Sequence, residues 1–347
     1  MAPLHVDIRN CRYQAMIGVG GIGSGAFFAL HGNHTLGREE SRGGRFLDRR
    51  DYCKLHILSH YVKVLLGPLF HTLPIGKVGD DEAGRRLVQE MGAAGLDLSY
   101  VQVDPDHETL YSVCFLYPDG SGGNLTTDDS ACAHVDPAFV ARAEPEFVRF
   151  EGRGIALAAP EAPLAARAKL LELATVHSFL RVAAFVSAEM SEAIEGGLLS
   201  RTDLLAINLD EAAAAAGVSV DDGPAPSVVD AAIQRLGTLH PSLQLTVTAG
   251  IQGSWSWDGQ SLVHVPALPS IVASTAGAGD AYLAGTIAGL VAGLPLSQAQ
   301  ELGTLVAALS VTSPHTIHPE IERSSLKAFA GALPVPLSTP VQRLLEA

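Results

Sequence analysis

The stretch Ser274-Thr275-Ala276-Gly277-Ala278-Gly279-Asp280 holds the residue types needed to handle a phosphate. An apolar run, Ile271 to Ala273, leads in, and a small-residue, helix-compatible run, Ala281-Tyr282-Leu283-Ala284-Gly285, leads out. A loop of Gly and Ala that opens a helix can aim several unpaired backbone N–H groups at one point, where the helix end adds partial positive charge. Such a point binds anions, phosphate above all. Asp280 places a carboxylate there, where a bound phosphate would repel it. Its presence is explained if it accepts the proton of a hydroxyl that attacks phosphorus. A helix N-terminus lowers a carboxyl pKa, so Asp280 is expected to be a weak base. Phosphoryl transfer tolerates this, because it draws mostly on positioning and electrostatics.

This loop resembles the signature Asp-Thr-x-Gly-Ala-Gly-Asp of the PfkB, or ribokinase-like, family of carbohydrate and nucleoside kinases. The chain matches at Thr275, Gly277, Ala278, Gly279 and Asp280, and carries Ser274 in the first position. The resemblance implies ATP and magnesium as cofactors and a small-molecule hydroxyl compound as substrate. It implies Asp280 as general base, with Gly277, Ala278 and Gly279 around the phosphates, the backbone N–H groups of Ala278, Gly279 and Asp280 holding their charge, and Thr275 beside the nucleotide.

Further pieces stand in the family order. Asn208 and Glu211, after the apolar run Leu204 to Ile207, correspond to an Asn-x-x-Glu pair that organises magnesium, water and phosphate. Carboxylate plus water suits magnesium, which keeps much of its hydration shell. Capping of the alanine-rich helix Ala212 to Ala216 is the plainer role for the same two residues. Thr248, Gly250 and Gly253 match a Thr-x-Gly-x-x-Gly turn against the nucleotide. Gly43, Gly44 and Asp48 stand where the family has Gly-Gly-x-x-x-Asn around substrate hydroxyls, with Asp for Asn. Gly76 to Gly84 matches a further family piece whose role is architectural, and His315 falls where the family lines its adenine pocket.

Two departures matter. The family places an Asp shortly after its first strand to grip a sugar hydroxyl; here Ser24 is the nearest polar residue, so the substrate is expected to differ from common furanose sugars. Ser274 replaces an Asp that helps hold a monovalent cation, so potassium activation is not expected. The first strand is also followed by Gly18-x-Gly20-x-x-Gly23, a dinucleotide-binding spelling, with Glu39 or Glu40 at about the distance of a ribose-binding acid. A nicotinamide- or flavin-dependent oxidoreductase is therefore the competing function. A ligand-binding protein on a kinase fold, its chemistry lost, is a third.

These residues need a scaffold. Ala15 to Val19 reads as a buried strand, Leu55, Leu58, Val62 and Leu65 as one helix face, and Thr109 to Tyr117 as a strand closed by the turn Pro118-Asp119-Gly120. After Pro160, strand-like and helix-like runs alternate, which predicts a mostly parallel sheet covered on both faces. The resemblance sharpens this to an α/β, three-layer αβα sandwich with a small β lid. Residues 1–335 would form one kinase domain, with lid segments near 23–45 and 99–127, and 336–347 a C-terminal tail; the stretch after Leu333, with Pro334, Pro336 and Pro340, reads as a loose surface segment.

A net charge of −14 argues against nucleic acid and anionic membrane as partners. The four cysteines form no Cys-x-x-Cys pair, and the N-terminus lacks an apolar signal core, so a reducing cytoplasm is expected. His56-x-x-x-His60 has metal-binding spacing but no Cys or Glu-rich partner, so zinc is not indicated. The uncharged stretch Ala281 to Gln300, broken by glycines and Pro295, reads as buried helix and not as a membrane span. The family resemblance admits a homodimer formed lid to lid.

Overall fold

Short apolar runs that cannot face water on either side decide the architecture. They do so in β1 (Ala15–Val19), whose five residues are all buried. Side chains alternate across a strand, so Met16 enters one core cluster while Ala15, Ile17 and Val19 enter the other. The structure is a computed structural model that describes residues 2–119 and 122–346, with the side chains of Asp48, Arg49 and Asp222 outside the described set.

After β1 the chain turns within three residues into β2 (Gly23–Leu30), and β3 (Gly44–Tyr52) returns antiparallel to it. Next come α1 (Lys54–Leu66), β4 (His71–Gly79), α2 (Glu82–Ala93) and β5 (Val101–Asp104). Asp81 caps α2, its Oδ1 accepting from Gly84 N at 2.7 Å. The hairpin β6 (Leu110–Leu116) and β7 (Gly122–Thr126) precedes α3 (Pro137–Ala141) and α4 (Glu144–Arg149). The alternation expected after Pro160 runs through β8 (Gly154–Ala158), α5 (Leu164–Val176), β9 (Leu180–Ala183), α6 (Met190–Glu195), β10 (Leu204–Asn208), α7 (Leu209–Ala216), α8 (Ala225–Leu239) and β11 (Gln244–Thr248). The hairpin β12 (Ser254–Trp257) and β13 (Leu262–Val265) leads to α9 (Ala278–Val291), α10 (Leu296–Ser310), α11 (Arg323–Gly331) and α12 (Thr339–Leu345).

The central sheet has nine strands in the order β13-β12-β11-β10-β9-β8-β1-β4-β5. It is parallel except for the β12–β13 edge. One face is covered by α1, α2 and α9 to α12, the other by α3 to α8, which gives three layers. A second sheet, β3-β2-β6-β7, branches from the end of β1 as the lid. No helix among the described residues is long and apolar enough to cross a membrane.

Three expectations are corrected. The lid strands run on to Tyr52, past residue 45, because β3 pairs with β2 up to Ser24; β5, inside 99–127, instead pairs with β4 in the central sheet. Gly18-x-Gly20-x-x-Gly23 opens no helix, since β2 follows directly, so no helix N-terminus is offered to a dinucleotide. Its glycines serve close packing: a Cβ on Gly20 would lie 2.7 Å from Ala159 Cβ, and one on Gly18 2.6 Å from Leu55 Cδ1.

The tail, third, is not loose. Residues 339–345 form α12, with Val341, Leu344 and Leu345 in the core and the Ser338 N–H donating to Glu301 Oε1 at 2.8 Å. Leu345→Ala should therefore destabilise the protein by about 2–5 kcal/mol, the range for truncating a buried leucine. Chemical denaturation reads this directly; an unchanged midpoint would mean that α12 is not part of the core.

Candidate active site

Every nucleotide-side candidate except His315 lies at the C-terminal edge of the parallel strands, where ligands bind in such sheets. A cavity of about 670 Å³ opens there. Its walls include Asn208, Glu211, Thr248, Gly250, Gly253, Thr275, Gly277, Ala278, Gly279 and Asp280. The structure thus brings together residues spread over more than seventy positions.

The loop into α9 turns on Gly277, which caps the helix at φ 74°. The turn packs tightly, since a Cβ on Gly277 would meet Thr316 Cγ2 at 2.7 Å. The loop is tied down from behind, with Ala273 N and Ser274 N both donating to Val311 O, at 2.7 and 3.2 Å. The Ala278 N–H is spent on Thr275 O at 3.2 Å, which leaves the first-turn amides of Gly279 and Asp280 as the open donors. A Cβ on Gly279 would meet nothing within 4 Å, so the cavity is open at the residue that carries one of those donors.

Asp280 is partly exposed to this cavity, and its carboxyl is pushed up to about 7. Burial is the main cause; Lys54 pulls the other way, while Glu161, Glu211 and Asp51 add repulsion. This overturns the expected weak base. The helix end favours the anion, but enclosure beside three further carboxylates outweighs it.

Asn208 and Glu211 perform the plainer role, and it fixes them at the cavity. Asn208 Oδ1 accepts from Glu211 N at 2.9 Å, and Glu211 Oε2 accepts from Asn208 N at 2.8 Å, a reciprocal cap on α7. Burial lifts the Glu211 carboxyl as well. Two carboxylates on one cavity wall, both held above their ordinary range, are what a hydrated divalent cation would relieve, so the donor set fits magnesium.

The other candidates do not converge. His315 is exposed on the turn beyond α10, and the cavity is lined there by Ala307, Ala308 and Val311 instead. Ser24 is buried and faces α2, its Oγ accepting from Arg86 Nη2 at 2.5 Å. Gly43 and Gly44 lie at the far end of the lid, Gly44 opposite Leu30, roughly 25 Å along β3 from Tyr52. Asp48 pairs with Phe27 in the lid ladder, and its side chain lies outside the described residues.

The cavity wall is instead completed at the start of α1. Lys54 lines the cavity, and its backbone N–H donates to Glu161 Oε2 at 3.0 Å across 107 residues. Glu161 follows β8 at φ 71°, an uncommon conformation for a residue with a side chain, and burial raises its carboxyl. Asp51, 5% exposed, accepts from Thr316 Oγ1 at 2.6 Å, which links β3 of the lid to the residue packed on Gly277. Sequence reasoning passed over all three. The position of Glu161 just past an apolar strand was the one signal available.

Comparison with known proteins agrees with this geometry. The profile of the family described as pfkB family carbohydrate kinase matches residues 63–323. The uncharacterized sugar kinase YegV of Escherichia coli (strain K12) is 41% identical over 63 residues, 18% of this chain and 20% of that protein. A fructoselysine 6-kinase of Shigella flexneri is 42% identical over 65 residues, 19% of this chain and 25% of that protein. The alignments thus span a quarter or less of these relatives' lengths. Among solved structures, a ribokinase from Giardia lamblia superposes with a TM-score of 0.77 at 17% identity, covering 90% of this chain and 99% of that one. A ribokinase from Cryptococcus neoformans in complex with ADP gives 0.75 at 19% identity, covering 91% and 99%. The fold is therefore ribokinase-like, and the chain belongs to the PfkB family of carbohydrate kinases.

Proposed function

We propose that the protein transfers the γ-phosphoryl group of ATP to a hydroxyl of a sugar, nucleoside or related polyol, with Asp280 as general base. The observation that carries this reading is the placement of the Asp280 carboxyl on the cavity wall beside the open amides of Gly279 and Asp280, where burial pushes its pKa up to about 7. A base whose pKa matches the operating pH combines the right protonation state with real driving force. The two amides hold charge that develops on the phosphate oxygens. Thr248, Gly250 and Gly253 flank the nucleotide, and Glu211 with Asn208 would hold magnesium, partly through water. Magnesium supplies charge neutralisation across the phosphates.

The acceptor would lie between the lid and the sheet, near Glu161 and Asp51. A screen of sugars, nucleosides and inositols that follows ADP release tests the assignment; release that no acceptor stimulates would contradict it. The same assay reads pH. Asp280 must be ionised to accept a proton, so kcat/KM should fall about tenfold per pH unit below about 7. A flat profile from pH 5 to 8 would remove Asp280 as the base.

Two expectations join this proposal. The wide spacing of the four cysteines, with no Cys-x-x-Cys pair, supports a cytoplasmic setting. Exposed Phe46, Leu47 and Leu125 on the lid strands support a homodimer through that sheet. A solution mass measurement reads the latter, and a monomer at micromolar concentration would exclude it.

A further inference from the structure

Among the side chains that line the cavity, Lys54 is the only lysine, arginine or histidine. It opens α1, and the backbone bond to Glu161 fixes that opening. Its ammonium forms no ion pair or hydrogen bond among the described residues. Yet it stands within electrostatic reach of Asp280, Glu211, Glu161 and Glu189. A lysine whose sole task was to balance these acids would close onto one of them, since a contact pair at 4 Å gains about 4 kcal/mol at an effective dielectric near 20. Lys54 stands off from all four. Glu189 is held elsewhere, its Oε1 accepting from the fully buried Arg167 at 2.5 Å. This ammonium and the amides of Gly279 and Asp280 line one cavity, which has room for an anion.

We infer that Lys54 is a further catalytic residue, its Nζ binding the oxygens of the γ-phosphoryl group as that group passes from ATP to the acceptor. This rests on the kinase reading above. In the step, the bond from acceptor oxygen to γ-phosphorus forms as the bond from that phosphorus to the β–γ bridging oxygen breaks. The bridging oxygen leaves with the electron pair as ADP, and the acceptor proton goes to Asp280. The transferring group carries its charge on equatorial oxygens throughout, and a fixed cation in a partly dry site lowers the energy of that state. Lys54 reaches it from the acceptor side, opposite the helix amides.

Calorimetric binding of Mg·ADP and of Mg·AMP-PNP to the full chain separates the γ-phosphoryl contact from the rest of the nucleotide. The wild type should prefer AMP-PNP by roughly tenfold, the effect of one hydrogen bond to a charged group. Lys54→Met should abolish that preference while ADP affinity stays within roughly twofold, and Lys54→Arg should keep most of it. Three outcomes overturn the role: a preference that survives Lys54→Met, a wild type with no preference, or an equal loss of both ligands, which marks a structural residue. A wild type that binds neither nucleotide overturns the kinase reading itself, so the two failures are told apart.

Discussion

Asp280→Asn is expected to lower turnover by roughly 10²-fold or more, the scale of a lost general base, while Mg·AMP-PNP still binds. The same variant should melt higher than the wild type above pH 7. Asn keeps the shape and the backbone amide, so the anion cradle of α9 is retained, and only proton acceptance is lost. The stability change follows from linkage. The Asp280 carboxyl rises from 3.8 to about 7 on folding, so the folded state binds the proton more tightly than the unfolded state. The contribution of Asp280 to stability is full below pH 3.8 and is lost as pH rises to about 7. The stability advantage of Asn should therefore grow over that window and stay level above it. Turnover by ADP release with an acceptor from the screen, set beside melting temperatures at pH 5 and pH 8, reads both halves. Near-normal turnover would remove Asp280 from its role.

Gly279→Ala should separate folding from binding in the same way. Gly279 is the second residue of α9, its φ is not positive, and a Cβ there meets no atom within 4 Å. Alanine in an exposed helix position stabilises by about 0.5–1 kcal/mol relative to glycine. The new methyl group, however, would stand in the space before the two open amides, where phosphate oxygens must approach to within about 3 Å. Turnover should fall by roughly 10²-fold, the loss seen when one oxyanion donor is removed, while the melting temperature is equal or higher. Gly277→Ala is a useful contrast. It faces both the positive φ and Thr316, so it should lose stability as well as activity. If Gly279→Ala bound Mg·ATP and turned over normally, the space before α9 would not be the phosphate site.

The part of the cavity proposed for the nucleotide was legible in the sequence because it is local. Gly277 to Asp280 are contiguous, Asn208 and Glu211 are one helical turn apart, and each group follows an apolar strand that fixes its place at the sheet edge. The part proposed for the acceptor was not legible because long-range pairs make it. Lys54 meets Glu161 across 107 residues, and Asp51 meets Thr316 across 265. The Asp280 pKa was misjudged for the same reason: burial in the folded chain raises it most, and the carboxylates that add to this come from β3, α7 and the segment after β8. Gly43 and Gly44 were misplaced because motif spacing cannot show that a whole strand, β3, separates them from α1. The tail misled because its prolines read as breakers. Pro340 instead stands in the first turn of α12, where a missing N–H costs nothing.

A crystal structure of the full chain with Mg·AMP-PNP bears most directly on all of this. The triphosphate should lie with oxygens within hydrogen-bond distance of Gly279 N and Asp280 N, and the Asp280 carboxylate should face the γ-phosphorus. A triphosphate seated beside Gly20, or an Asp280 side chain turned away from an otherwise bound nucleotide, would contradict it.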